Sequence, residues 1–456
     1  MKYHFIAIGG SVMHNLALAL HQQGHTITGS DDEIYDPART FLQQAGLLPA
    51  REGWDPERIH QELDAVIVGM HAKADNPELL KAQALGLPVY SFPAFIYAHS
   101  QSQQRIVIAG SHGKTTITSM IMHVLRHYEH DFNYLVGARL EGFDTMVRLS
   151  PTAPVIVLEG DEYLTSPLDR RPKFLHYQPH IVVLSGIAWD HINAFPTYEG
   201  YKEQFALLLR TIAKNGALIY AAEDTEVQAL VRQEDPAYHC IPYRAPHYSS
   251  DADGTTVQLE QRTYQLSVFG RHNLSNAAAA QQVCAQLGIT AEAFWRAMEH
   301  FKGAAKRLEP IAEGKDRALF RDFAHAPSKV KASVSAMLER YPDRPLTAVL
   351  ELHTFSSLNP DFLPQYAHTL AGVEEGIIYL NPQAMAKKGR PISAQEIHDA
   401  FQRTDLLVTQ DIAEVVQALQ QQEWPHRNLI CMSSGNLGGL SMDEIGSFVG
   451  LTEKPT

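Results

Sequence analysis

The stretch Arg105-Ile-Val-Ile-Ala-Gly-Ser-His-Gly-Lys-Thr-Thr116 constrains this chain more than any other. Arg105 to Ala109 is a short apolar run of strand character. From Ile117 the apolar residues fall at Met120, Ile121, Val124, Leu125 and Tyr128, which is helical spacing. A glycine-bounded loop, Gly110-Ser111-His112-Gly113, therefore joins a strand to a helix that opens with Lys114, Thr115 and Thr116. Such a turn turns backbone N–H groups and the positive helix end towards an anion. Its lysine adds a point charge, and a hydroxyl can reach Mg²⁺. The loop is shorter than the G-x-x-x-x-G-K-[ST] form, but its context is that of a phosphate cradle for ATP or a related nucleotide.

At 456 residues the chain is too long for one core, and its composition, 45% hydrophobic and 20% charged, is globular. A net charge of -13 argues against a nucleic-acid surface. Cys240, Cys284 and Cys431 lie far apart with no CxxC pair, so neither a disulfide framework nor a zinc ribbon is indicated, and a reducing cytoplasm is expected. The apolar start, Met1 to Ile8, stops at Gly9-Gly10 and reads as a strand, with no membrane-spanning run elsewhere. His123 and His127 sit one helical turn apart without a third ligand, which reads as a surface or packing role.

Three α/β stretches each restart with their own strand, giving domains at 1–98, 99–302 and 303–456. The first, a Rossmann-like unit, runs from Tyr3–Ile8 through Gly9-Gly10 into a helix stopped by Gly24. Its second strand, Thr26 to Thr28, ends at Gly29-Ser30-Asp31. The glycine pattern is partial: no GxGxxG is present, so a ligand other than NAD is as open as a dinucleotide. The polar run His99 to Gln104 reads as a linker into the second domain. That domain holds the phosphate loop, strands near Val155–Leu158, Ile181–Leu184 and Ala217–Tyr220, a hairpin over Thr255–Phe269 and a helix over Asn273–Gln286. Beyond Phe301-Lys-Gly303, strands at Ala318–Phe323, Leu346–Leu350, Gly376–Leu380 and Asn428–Met432 alternate with helical segments.

Carboxylates follow two of these strands. Glu159, Asp161 and Glu162 lie just past Val155–Leu158, and Asp190-His191 lies beyond Ile181–Leu184. Strand C-terminal edges are where open parallel sheets bind ligands, and carboxylates suit Mg²⁺, so Glu159 and His191 are candidate metal ligands. Arg170, Arg171 and Lys173 make a basic run that reads either as an anion-substrate contact or as a solvated turn. Asn273 and Asn276 carry amides able to pair with an adenine edge, although helix capping alone explains one of them. In the third domain Lys306-Arg307 offers cations for phosphates, and Asp322 and His325 stand at a strand end before Pro327.

Taken in order, Gly-Ser-His-Gly-Lys-Thr-Thr, Glu-Gly-Asp-Glu-Tyr, Asp-His, His-Asn-x-x-Asn, Arg-Leu-Glu and Asp-Phe-Ala-His-x-Pro resemble the Mur ligase family. The resemblance runs from Ile8-Gly-Gly10 to Ser433-Ser-Gly-Asn-Leu-Gly-Gly439. It implies a three-domain ATP-dependent amide ligase of peptidoglycan synthesis, with a UDP-sugar-binding first domain, a central ATP-binding domain and a C-terminal α/β domain. It implies that Gly110, Ser111, His112, Gly113, Lys114, Thr115 and Thr116 cradle the phosphates, with Thr115, Glu159 and His191 on Mg²⁺. Asn273 and Asn276 would face adenine, Arg307 the γ-phosphate and Asp322 the ribose, with His325 lining the site. Gly9, Gly10, Ser11, Ser30 and Asp31 would hold UDP. Lys114, Glu159, His191 and Arg307 would carry the chemistry.

Asp169-Arg-Arg-Pro-Lys-Phe-Leu-His-Tyr177 and Ala188-Trp-Asp-His-Ile-Asn-Ala-Phe195 are similar to the family's recycling branch. That branch joins UDP-N-acetylmuramate to the murein tripeptide L-alanyl-γ-D-glutamyl-meso-diaminopimelate. Such a tripeptide brings several carboxylates where L-alanine brings one, so the Arg170 and Arg171 guanidiniums would suit it as bidentate contacts, the solvated turn remaining the other reading. A UDP-N-acetylmuramate–L-alanine ligase is the alternative, and a non-catalytic nucleotide-sugar or murein-peptide sensor a second. Three positions depart from the pattern. Ser185-Gly-Ile-Ala188 stands where the branch has Asn-Asn-Leu-Glu, Leu352-His-Thr-Phe-Ser-Ser357 where an arginine stretch is usual, and Phe205 where many family members carry a carbamylated lysine, as expected for this branch.

Overall fold

The computed structural model describes residues 1–166, 168–387 and 391–451. Contacts divide the chain into two units: one of Met1–Ile187, Glu199–Arg244 and Ala279–Phe294, and one of Ala188–Tyr198, Ala245–Ala278 and the chain from Trp295 onward. The architecture is α/β throughout.

The first unit carries two sheets. The smaller holds β1 (Lys2–Ile6), β2 (Thr26–Ser30), β3 (Ala65–Val68) and β4 (Val89–Ser91), all parallel, in the order β2-β1-β3-β4. The larger holds β5 (Gln104–Ala109), β6 (Phe132–Leu135), β7 (Val147–Arg148), β8 (Val155–Glu159), β9 (Ile181–Leu184), β10 (Ala217–Ala221) and β11 (His239–Tyr243), in the order β11-β10-β9-β5-β8-β6-β7. Only β7 runs antiparallel to its neighbour. The central strands are continuous apolar runs because helices cover both faces; all four residues of β3 and of β9 are buried.

The second unit holds β12 (Tyr248–Asp251), β13 (Gly254–Leu259) and β14 (Arg262–Leu266) as an antiparallel sheet. Its main sheet comprises β15 (Glu309–Glu313), β16 (Ala318–Asp322), β17 (Leu346–Leu352), β18 (Glu375–Leu380), β19 (Leu407–Thr409) and β20 (Asn428–Met432), ordered β15-β16-β20-β17-β18-β19. The hairpin expected over Thr255–Phe269 is β13–β14. The edge strands β7, β11, β12, β15 and β19 escaped the pattern reading, since each is short or only partly buried, and so did the buried four-residue β6. Among the described residues no helix is long and apolar enough to cross a membrane.

Arg105, the first apolar-run residue after β5 opens, is buried, and its guanidinium donates to five backbone carbonyls: Ser100, Gln101, Gln103, Tyr177 and Gln178. It thereby closes the linker Ser100–Gln103 onto the large sheet. Arg105→Met should lower the free energy of unfolding by about 3 kcal/mol, because carbonyls out of reach of water lose their donor. A denaturant titration with an unchanged midpoint would remove this role.

Candidate functional site

Strand register lines up the elements of the phosphate loop. Ile108 lies opposite Glu159 and Ala109 opposite Leu184, so the chain leaves β5, β8 and β9 at one edge. Gly110 (φ +122°) and Gly113 (φ +75°) turn the chain into the helix Lys114–His127, and Gly113 is its N-cap. Both are conformations that a β-carbon disfavours.

Lys114 Nζ donates to Gly110 O at 2.7 Å and to Glu162 Oε2 at 2.6 Å. The Glu162 side chain is only 1% exposed. Burial works against the ammonium, but Glu162, Asp161 and Glu159 outweigh it and raise the lysine above its ordinary range. The Tyr201 hydroxyl approaches the other Glu162 oxygen at 3.4 Å. Thr115 Oγ1 donates to Glu159 Oε1 at 2.9 Å, and Gly137 N donates to Glu159 Oε2 at 2.7 Å. Asp161 pairs with Lys173 at 2.5 Å; burial opposes its charge, yet Lys173 and Lys114 pull its carboxyl down to about 2. The three acids read together in the sequence thus have three different partners. Glu162 as the counter-ion of Lys114 was not foreseen, and nothing in its spacing pointed to it.

The departure at Ser185-Gly186 has a structural explanation. Ser185 Oγ donates to His112 O and, at 3.2 Å, to Ala109 O, while Ser111 N donates to Gly186 O at 3.0 Å. A Cβ on Gly110 would run into Ser185 Oγ, and one on Gly186 would lie 3.0 Å from His112 Nε2. This pair is the floor of the phosphate loop. Phe205 is fully buried against Phe174 and Tyr201, so apolar core fills that position.

At the edge of the small sheet, Gly9 N donates to Asp31 Oδ2 at 2.7 Å and Asp32 N to Asp31 Oδ1 at 3.0 Å. Burial, with Asp32 adding to it, pushes the Asp31 carboxyl up to about 7. Asp31 holds the Gly9-Gly10-Ser11 turn in place. Ser30 is buried and accepts from Arg58 Nη1 at 3.0 Å. On the acidic segment's far side, Asp169 takes the Arg171 fork (Nε to Oδ1 3.0 Å, Nη2 to Oδ2 2.7 Å), which leaves Arg170 as an exposed cation.

In the second unit, Asn273 and Asn276 are buried in the opening turns of the helix Arg271–Gln286, and Asn273 Nδ2 donates to Phe269 O at 2.9 Å. Asp322 ends β16, is buried and accepts from Ser333 Oγ. Arg307 lies over the Phe323 ring at 4.3 Å. Burial and the Lys329 charge lower His325 to about 3, which keeps it neutral, with Nδ1 donating to Phe323 O at 2.9 Å. His191 adopts φ +56°, its amide donating to Asp190 Oδ1 at 2.8 Å. Asp190 pairs with Lys329 at 3.4 Å; burial opposes its charge, but the Lys329 ammonium, with the hydrogen bond from the His191 amide, holds it well below the carboxylate range. Among the described residues no group of three or more His, Cys, Asp or Glu side chains is arranged to hold a metal. Mg²⁺ asks for less, one or two carboxylates with phosphate and water.

Gly186→Ala should weaken ATP binding on the order of tenfold while leaving the melting temperature within a few degrees. The added methyl presses on His112 rather than on the core. Titration with a fluorescent ATP analogue checks this, and unchanged affinity would separate Gly186 from the loop's function.

Residues 108–284 match the Mur ligase middle domain, and residues 2–104 match the Mur ligase family, catalytic domain. The UDP-N-acetylmuramate–L-alanyl-γ-D-glutamyl-meso-2,6-diaminoheptandioate ligase of Haemophilus influenzae is 27% identical over 96% of this chain and 98% of its own length. The UDP-N-acetylmuramate–L-alanine ligase of Sulfurihydrogenibium sp. is 32% identical over 79% of this chain and 78% of its own. A crystal structure of a murein peptide ligase from Psychrobacter arcticus shares the fold, with a TM-score of 0.67 and 24% identity over 99% of both chains. With a phosphate loop, its charge partners and this likeness together, the chain belongs to the Mur ligase family of ATP-dependent amide ligases of peptidoglycan metabolism.

Proposed function

We propose that this protein is a murein peptide ligase, joining UDP-N-acetylmuramate to L-alanyl-γ-D-glutamyl-meso-diaminopimelate in peptidoglycan recycling in the cytoplasm. The observation that carries the acceptor is the nearly end-to-end match to the Haemophilus ligase named for that tripeptide. The L-alanine ligases favour a second reading through higher identity over a shorter span.

A carboxylate is a poor electrophile, so the ligase reaction phosphorylates it with ATP and the amine then displaces phosphate from the acyl phosphate. In this reading the Gly110–Gly113 amides and Lys114 hold the phosphates, and Lys114 offsets charge as it shifts towards the leaving phosphate. Glu162 keeps that ammonium aimed across the loop mouth. Thr115 and Glu159, already bonded to one another, fit Mg²⁺ as a hydroxyl and a carboxylate donor, and His191 is the further candidate ligand. When bound, Mg²⁺ neutralises charge on the transferring phosphoryl group. Asn273 and Asn276 face adenine, Asp322 the ribose and Arg307 the γ-phosphate, with neutral His325 lining the site. Gly9, Gly10, Ser11, Ser30 and Asp31 hold UDP.

Incubation with ATP, Mg²⁺ and UDP-N-acetylmuramate, with tripeptide or L-alanine in parallel, should yield the tripeptide adduct by mass spectrometry. A preference for L-alanine overturns the acceptor, and nucleotide binding without phosphate release overturns catalysis. Lys114→Ala should reduce turnover on the order of 10²–10³-fold. Glu159→Gln and His191→Ala should both raise the Mg²⁺ concentration needed for half-maximal rate without weakening UDP-sugar binding; an unchanged Mg²⁺ dependence in His191→Ala removes that residue from the metal. Replacing Arg170 and Arg171 by Ala should raise the tripeptide KM more than that of UDP-N-acetylmuramate.

A further inference from the structure

The connection between β6 and β7 reaches beyond its own sheet to the first turn of the helix Ser11–Gln22. Asn15 is the joint. Its Oδ1 accepts from Met146 N at 3.0 Å, and its Nδ2 donates to Ser11 O at 2.9 Å and to Met146 Sδ at 3.4 Å. Ser11 Oγ also reaches Met146 Sδ, at 3.7 Å. From the same connection Arg139 lays its guanidinium over the Phe41 ring at 4.5 Å. Phe41 in turn stacks on His14, whose Nδ1 donates to Gly10 O at 2.9 Å. A cation from the large sheet's domain is therefore linked, through the Phe41 and His14 rings, to the Gly9-Gly10-Ser11 turn of the small one.

That turn is short of positive charge. A helix N-terminus offers about half an elementary charge, whereas a diphosphate brings about two negative charges. The Asp31 carboxylate already sits on Gly9 N. Two of the small-sheet arginines are engaged, Arg58 with Gly29 O, Ser30 Oγ and Asp55, and Arg39 with Ile34 O and Glu52, while Arg51 is exposed on the segment that pairs with Asp31 through Gly53. His14 is held neutral by burial, with the Arg139 charge acting in the same direction. Arg139, in contrast, is exposed and donates only to Asp144 O, at 2.8 Å, and no carboxylate pairs with it among the described residues.

Resting on the reading of this turn as the UDP-sugar site, we infer that Arg139 is a specificity-determining residue whose guanidinium engages the diphosphate of the nucleotide sugar. A guanidinium fork matches phosphate oxygens in two parallel hydrogen bonds, and the Phe41 ring holds its plane. The first domain then supplies the amides of the diphosphate cradle, and the central domain supplies its charge.

Calorimetry of wild type, Arg139→Ala and Arg139→Lys with UDP-N-acetylmuramate, UDP and uridine, at several salt concentrations, tests this. Arg139→Ala should weaken both diphosphates on the order of tenfold and flatten their salt dependence, with uridine affected less than about twofold and Lys restoring part of the loss. Equal weakening of UDP and uridine would reduce Arg139 to a packing residue on Phe41 and overturn the inference, as would unchanged UDP affinity. A wild-type protein that binds no UDP overturns the reading of the turn itself, a separate outcome.

Discussion

The Lys114–Glu162 pair is the interaction on which the phosphate site depends. An ammonium with little water around it needs a fixed counter-charge, and Glu162, almost fully enclosed, stands 2.6 Å from it. Through Lys114 the same bond reaches the carbonyl of Gly110 and so fixes the loop's entry. Glu159 and Asp161, bonded elsewhere, add field without competing for the lysine. The result is a loop whose lysine is charged and held in one orientation by its own neighbours, the preorganisation that the proposed phosphate chemistry would draw on.

The connection between β6 and β7 extends this order in a second direction. At its start Gly137 bonds Glu159, and at its end Met146 bonds Asn15 in the helix that follows the first glycine turn. One short segment therefore touches both the acid beside the phosphate loop and the turn of the small sheet. A Cβ on Gly137 would lie 2.8 Å from Glu159 Oε1, so any side chain there would push that carboxylate out of its present place.

Much of the fold was legible in the sequence because its parallel strands are buried on both faces and read as unbroken apolar runs. The phosphate loop, Ser30-Asp31 and the acids after β8 followed from strand ends. Partnerships across long separations were not legible: Lys114 and Glu162 are 48 positions apart, Asn15 and Met146 131. Asp31 shows a subtler gap. The resemblance placed it on UDP, and in the structure its carboxyl group also braces the glycine turn, a bond to Gly9 that spacing alone does not give. Ser185 and Gly186 looked like losses from a family pattern and act as loop supports, which only their packing under Gly110 reveals.

The segment Ala188–Tyr198 has a temporal consequence. Its flanks belong to the first unit, but its own contacts are with residues far downstream: Asp190 with Lys329, and Trp189 with Phe362 at 6.4 Å between ring centroids. During synthesis this stretch leaves the ribosome well over a hundred residues before those partners exist. An acid destined for burial and an indole ring must therefore stay solvated while the strands on either side are already able to pair. The last part of the chain to be made is what gives Asp190 and Trp189 their partners, so a nascent or truncated chain ending before the six-stranded sheet carries a phosphate loop but an unsupported Trp189-Asp190.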